Sequence, residues 1–212
     1  MLNWPPYAVY PMPCRSSVRL RNRLADPRLV LAPATNLLAW RIRRTFMAEK
    51  NLKDLLLHTL KDVYFAEHEI LKALPKMAKA AQNEELKQAL MHHREETQGQ
   101  VERLQKAFEA LGKRARGQTC EAINGLIEEG EEVIEEFPEG TVRDAGILAN
   151  AQSVEHYEMA RYGTVIAWAK TCGQDQVAQL MRETLEEEKK ADTLLNGLAK
   201  KNINERAMKQ AA

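Results

Sequence analysis

The inward stripe of one long helical pattern is interrupted by two acids, and that interruption limits what the chain can fold into. The stripe reads Leu148, Ala151, Glu155, Glu158, Tyr162, Val165, Ala169. Its steps alternate between three and four residues, the spacing of one face of an α-helix. Glu155 and Glu158 therefore stand on consecutive turns of a face otherwise suited to burial. A buried carboxylate is costly unless it is neutralised, paired or bound to a metal. Such a helix needs neighbours that bring compensating groups to the same depth.

Three other long helical patterns do this. From Leu52 to about Ala81 the apolar positions frame an inward Glu67, between Val63 and Ile70. Asp62 and Glu69 fall off that stripe and read as solvated. Pro75, inside the pattern, is expected to kink it or split off its last turn. Asn83 is a plausible N-cap for a second helix, with Glu84 and Glu85 favourable in its first turn, and Gly112 suits the C′ position. Its stripe is Leu86, Leu90, His93, Glu96/Thr97, Gln100, Leu104, Ala107/Phe108. His93 and Glu96, one turn apart, are neighbours on this face, whereas Glu95 points away from it. A last long helix, from Asp175 to about Lys200, carries Glu187 and Glu188 midway along its apolar stripe. The polar tail beyond Lys201 is expected to fray.

Connection lengths set the topology. The first two long helices are joined by a few residues, as are the last two, so each pair reads as an antiparallel hairpin. Between the hairpins lie residues 113–141. This stretch holds a shorter helix, capped by Thr119 and ended by Pro138-Glu139-Gly140, that covers roughly 27 Å at 1.5 Å per residue. Its acidic face (Glu128, Glu129, Glu131, Glu132, Glu135, Glu136) is read as solvated surface. Thr141 and Asp144 resemble a capping box for the helix that follows. Hairpin, long crossover and hairpin predict an all-α, ferritin-like four-helix bundle.

In such a bundle the helix midpoints meet, so Glu67, His93, Glu96, Glu155, Glu158 and Glu187 or Glu188 fall at one level of one core. Several negative charges in a low-dielectric interior require protonation, with raised pKa values, or divalent metal. Oxygen donors with one imidazole suit iron or manganese, and also zinc. His156, beside the stripe, is either a support for a ligand or a surface residue. Tyr64, Tyr162 and Trp168 read as core.

Composition separates two segments. Residues 1–46 hold eight Arg, one acid and six of the eight Pro. Residues 47–212 carry 23 basic against 29 acidic groups, a net charge of −6. The leading segment reads as a transit peptide, a disordered basic arm, or upstream sequence preceding a true start at Met47. We favour the last, because Met47-Ala48-Glu49-Lys50 runs straight into a helical pattern. The bundle domain is assigned to 47–212. The acidic domain offers no attraction for nucleic acid, and no apolar run suits a membrane span. Cys14, Cys120 and Cys172 are isolated, which fits a reduced, cytoplasmic setting and argues against a thiolate zinc site.

Several motifs carry a family resemblance. They are Leu60-Lys-Asp-Val-Tyr-Phe-Ala-Glu67, Leu74-Pro75-Lys-Met77, His93-Arg-Glu-Glu-Thr97, Cys120-Glu-Ala-Ile-Asn-Gly-Leu-Ile-Glu-Glu129, Val154-Glu-His-Tyr-Glu158 and Glu183-Thr-Leu-Glu-Glu-Glu-Lys189. Together they resemble the YciE/YciF family of ferritin-like proteins over residues 50–200. The resemblance implies a rubrerythrin-like bundle, often dimeric, tied to bacterial stress responses, with a di-metal site. The sequence departs from the usual ferritin-like pattern. Glu-x-x-His is absent from the second and last long helices, which carry Glu95-x-x-Gln98, Glu96-x-x-Gly99 and Glu187-x-x-Lys190.

Two functional readings follow. The first is a metal-binding stress protein holding iron or manganese, with peroxide or oxygen as candidate reactants. The second is a non-catalytic helical scaffold whose polar layer is vestigial. A cage-forming storage role has less support, because no apolar fifth helix follows the bundle.

Overall fold

The computed structural model describes residues 49–210. The Arg- and Pro-rich segment 1–46 lies outside the described residues. All regular structure among the described residues is helical. It comprises α1 (Leu52–Ala80), α2 (Glu84–Ala110), α3 (Glu121–Glu136), α4 (Thr141–Thr171) and α5 (Asp175–Leu198), then a π turn (Ala199–Ile203) and α6 (Asn204–Gln210).

Helix ends follow local chemistry. Asn51 Oδ1 accepts from the backbone N–H of Lys53 (2.8 Å) and Asp54 (3.3 Å), and Asp54 returns a carboxylate oxygen to Asn51 N at 2.9 Å. This reciprocal box satisfies orphan donors at the start of α1. Asn83 caps α2 by accepting from Leu86 N at 2.9 Å. Gly112 and Gly173 adopt φ of 63° and 71°, the left-handed conformation that glycine takes without a Cβ penalty. Beyond them Lys113 N reaches Phe108 O at 2.9 Å and Gln174 N reaches Ala169 O at 2.8 Å, closing both helices in Schellman fashion.

Four expectations about elements change. Pro75 does not split α1, which runs through it as one helix; Leu74 and Met77, on either side, are buried and hold the backbone in place. Thr119 does not cap α3. The helix starts one residue after Cys120, which makes no side-chain capping bond and instead sets its Sγ 3.0 Å from Tyr157 Oη. With 16 residues, α3 spans roughly 24 Å, and the preceding loop makes the rest of the crossing, with Gln118 N bonded to Lys61 O at 3.1 Å. Asp144 does not close a box on its own helix. Its two oxygens accept from Gln82 N (2.7 Å) and Asn83 N (2.9 Å), tying the α1–α2 turn to the start of α4. The tail does not fray either, because Ile203 is buried in the core and α6 packs on α4.

The long helices close a ring in the order α1, α2, α5, α4, while α3 lies against α1 and α4. Their apolar faces form two clusters. Leu56, Leu60, Leu104, Phe108, Val165 and Met181 belong to the one nearer the start of α1. Ile70, Leu74, Leu86, Leu90, Ile147, Leu148 and Leu195 belong to the other. The polar side chains of the stripes form the layer between them.

Candidate metal centre

Every long helix contributes to that layer. Glu67 comes from α1, His93 and Glu96 from α2, Glu155 and Glu158 from α4, and Glu188 from α5. All are buried except Glu96, whose side chain is 24% exposed. The ligand atoms of His93, Glu155, Glu158 and Glu188 lie within 4.8 Å of one another. His93 is the hub. Its Nε2 is 3.3 Å from Glu155 Oε1 and 3.7 Å from Glu188 Oε2, and its Nδ1 is 3.5 Å from Glu96 Oε2.

Hydrogen bonding does not satisfy this cluster. Both oxygens of Glu158, both of Glu188, one of Glu155 and one of Glu67 are buried without a donor, and neither ring nitrogen of His93 has a well-aligned partner. Native interiors rarely leave so many buried polar atoms unpaired. Hard oxygen donors around one imidazole, converging in a buried layer, fit a divalent cation of the iron, manganese or zinc type.

Burial dominates the electrostatics. Desolvation pushes Glu67 up to about 7, against the lowering effect of its hydrogen bond from Tyr162. Desolvation raises Glu155 to about 8, against the lowering effect of the Glu188 carboxyl beside it. Glu158 and Glu188 lie well above the ordinary carboxylate range, each chiefly by desolvation; Glu67 adds repulsion at Glu158, while His93 partly offsets the rise at Glu188. Desolvation pulls His93 down, but Glu96, Glu188 and Glu67 together outweigh it and leave the imidazole above its usual value. Glu96, nearer solvent, is held down by its contact with His93. Burial thus disfavours the charged form of the Glu67, Glu155, Glu158 and Glu188 carboxyls.

Glu187 stands elsewhere. Arg103 grips it through both terminal nitrogens, one at 2.8 Å, and Gln100 Nε2 lies 3.2 Å away. The same guanidinium donates to Thr184 Oγ1 at 2.8 Å. Successive residues on a helix are about 100° apart, so only one of the two acids faces the centre, and that one is Glu188. His156 sits outside the layer, 67% exposed and 3.2 Å from Asp192. Two contributors escaped the sequence reading. Tyr162, read as core, donates its hydroxyl to Glu67. Arg103 lies one turn beyond Gln100 on the polar part of α2, a spacing that offered a signal.

A bundle of two hairpins and one crossover, closed around a layer of carboxylates, defines a ferritin-like protein. Residues 51–208 match the family described as Domain of unknown function (DUF892), and the chain belongs to that family. Protein YciF of Escherichia coli (strain K12) is 45% identical over 166 residues, covering 78% of this chain and 100% of YciF. The crystal structure of YciF, described as a stress protein, superposes with a TM-score of 0.70 at 46% identity, over 73% of this chain and 98% of that one. YcfI from Rhodopseudomonas palustris gives 0.69 at 51% identity, over 71% and 96%. A protein from Xanthomonas campestris pv. campestris, 22% identical with a TM-score of 0.60 over 76% of this chain and 100% of that one, shares the fold. No helix among the described residues is long and apolar enough to cross a membrane.

Proposed function

We propose that the polar layer is a carboxylate-rich di-metal centre for iron or manganese in a stress-response protein. The observation that carries this reading is the meeting of His93, Glu155, Glu158 and Glu188, buried and within 4.8 Å, with most of their donor atoms unpaired. Glu67 and Glu96 flank that group and complete six donors, the number a di-metal site in such a bundle uses. Bound ions would supply Lewis-acid charge and, for iron or manganese, a one-electron couple. The chain's own residues do the positioning. Tyr162 orients Glu67, His93 supplies the nitrogen, and Arg103 holds Glu187 away from the cluster. The free thiols of Cys120 and Cys172 support a reducing, cytoplasmic setting, and the family resemblance supports a homodimer. Sedimentation of the purified chain checks the dimer.

The scaffold reading keeps one observation in its favour: Glu67 and Glu155, raised to about 7 and 8, can carry protons at neutral pH without any metal. One experiment separates the two. The chain is loaded anaerobically with Fe(II), desalted, and its metal counted by mass spectrometry. Retention of about two irons per chain supports the metal centre. Loss of iron, manganese and zinc alike would leave the scaffold.

A further inference from the structure

The donors of the polar layer continue outward along α2 without a break. Glu96 joins two histidines, one by each carboxylate oxygen: Oε2 lies 3.5 Å from His93 Nδ1, and Oε1 lies 3.6 Å from His92 Nε2. On its other side His93 lies 3.3 Å from Glu155. Side-chain exposure falls in the same order, from 66% at His92 to 24% at Glu96, 7% at His93 and 3% at Glu155. Helical spacing sets this up, because residues 92 and 96 share a face while the adjacent His93 stands about 100° round from His92. All four line one opening of about 150 Å³ between α2 and α5, together with Lys190 and apolar residues.

A histidine one turn from an acid is common on helix surfaces and by itself means little. His58 and Asp62 make the same pair at 3.6 Å on α1, and no ion pair joins them to the layer. At His92 the acid is also the partner of His93, whose two ring nitrogens are buried without an aligned partner. A second hollow touches His93 and Glu155 among α1, α3 and α4, but it holds only about 20 Å³. That is room for about one water, and none of its lining residues is an exposed donor.

We propose that His92 and Glu96 form an outer site for a divalent cation, through which metal enters and leaves the centre. Imidazole nitrogen and carboxylate oxygen suit the same ions as the layer itself. A cation passing into a buried layer loses its water, and donors spaced along the way offset that loss. Lys190, exposed in the same opening, opposes entry by its charge. The inference rests on the metal reading and adds a route to it.

The test is the rate of zinc exchange in the full chain near neutral pH. Uptake is read as loss of zinc from a coloured indicator, and release as the metal left on the desalted chain after timed exposure to EDTA. His92→Ala should slow both by about tenfold and leave zinc per chain at saturation unchanged, because a route acts on both directions alike. Lys190→Gln should speed both by about threefold. His58→Ala, which breaks the matched pair on α1, should change neither. All three residues are exposed, so their replacement leaves the fold intact. Unchanged rates in His92→Ala or Lys190→Gln, or slowing in His58→Ala, overturn the route while zinc at saturation keeps the metal reading. Fewer zinc ions per chain in His92→Ala would make His92 part of the centre and overturn its outer place. A wild-type chain that takes up no zinc overturns both.

Discussion

Glu158 has no donor for either carboxylate oxygen, although it lies at the centre of the bundle among Glu67, Glu155 and Glu188. Glu187, one residue from Glu188, has three donors from Arg103 and Gln100. The two residues should therefore answer the same substitution in opposite ways. Glu158→Ala removes two of the unpaired donor atoms, and bound iron per chain should fall; unchanged stoichiometry would remove Glu158 from the site. Glu187→Ala should keep the metal and lower stability by about 1–2 kcal/mol, since it strands a partly buried guanidinium. Urea denaturation with parallel metal counts checks both. A loss of metal in Glu187→Ala would contradict the division of labour between the two neighbours.

At the scale of elements, two contacts fix the crossover and the hairpins. Asp144 joins the start of α4 to the turn between α1 and α2 by bonds to two backbone N–H groups. Replacing it by Ala leaves those donors unsatisfied at a part-buried site, and unfolding free energy should drop by about 2–3 kcal/mol. Asp144→Asn, which keeps one acceptor, should recover part of that loss. Gly130 seats α3 on α4: a Cβ there would lie 2.5 Å from Asn150 Oδ1, and Asn150 holds Leu126 O at 2.8 Å. Gly130→Ala should cost about 1–3 kcal/mol, and the Asn150→Ala background should relieve the clash while losing the bond. If Gly130→Ala leaves the denaturation midpoint in place, α3 is not seated through this contact.

For the whole molecule, the metal-free state should depend on pH in a definite direction. Glu67 and Glu155 are raised in the fold from 4.5 to about 7 and about 8, so the folded chain binds protons that the unfolded chain has released. Their contribution to stability is complete below about pH 4.5 and declines as pH rises through about 7 and 8. His93, also raised, acts in the same sense, losing stabilisation as it deprotonates. The melting temperature of the chelator-treated protein should fall between about pH 5.5 and 8. Metal binding releases those protons, so the gain in melting temperature from added zinc should grow over the same range. A metal-free melting temperature that rises with pH would show that the carboxylates of the layer are already ionised in the fold.

Helical periodicity is a local property, and it placed Glu67, His93, Glu155 and Glu158 on inward faces from the amino acids alone. Short connections force antiparallel neighbours, so the hairpin–crossover–hairpin order was equally legible. What stayed illegible depends on partners remote along the chain. Glu187 and Glu188 sit on adjacent edges of one stripe, and only Arg103 on another helix decides which turns inward. Asp144 looked like a cap for its own helix because the donors it serves, Gln82 and Asn83, lie some sixty positions away. The tail looked soluble by composition, yet Ile203 finds a core built by other helices. The order of charges along each helix determined that a buried polar layer had to exist. Only the tertiary structure decided which atoms share it, because contact between helices depends on their rotation and register, which the repeat within a single helix does not encode.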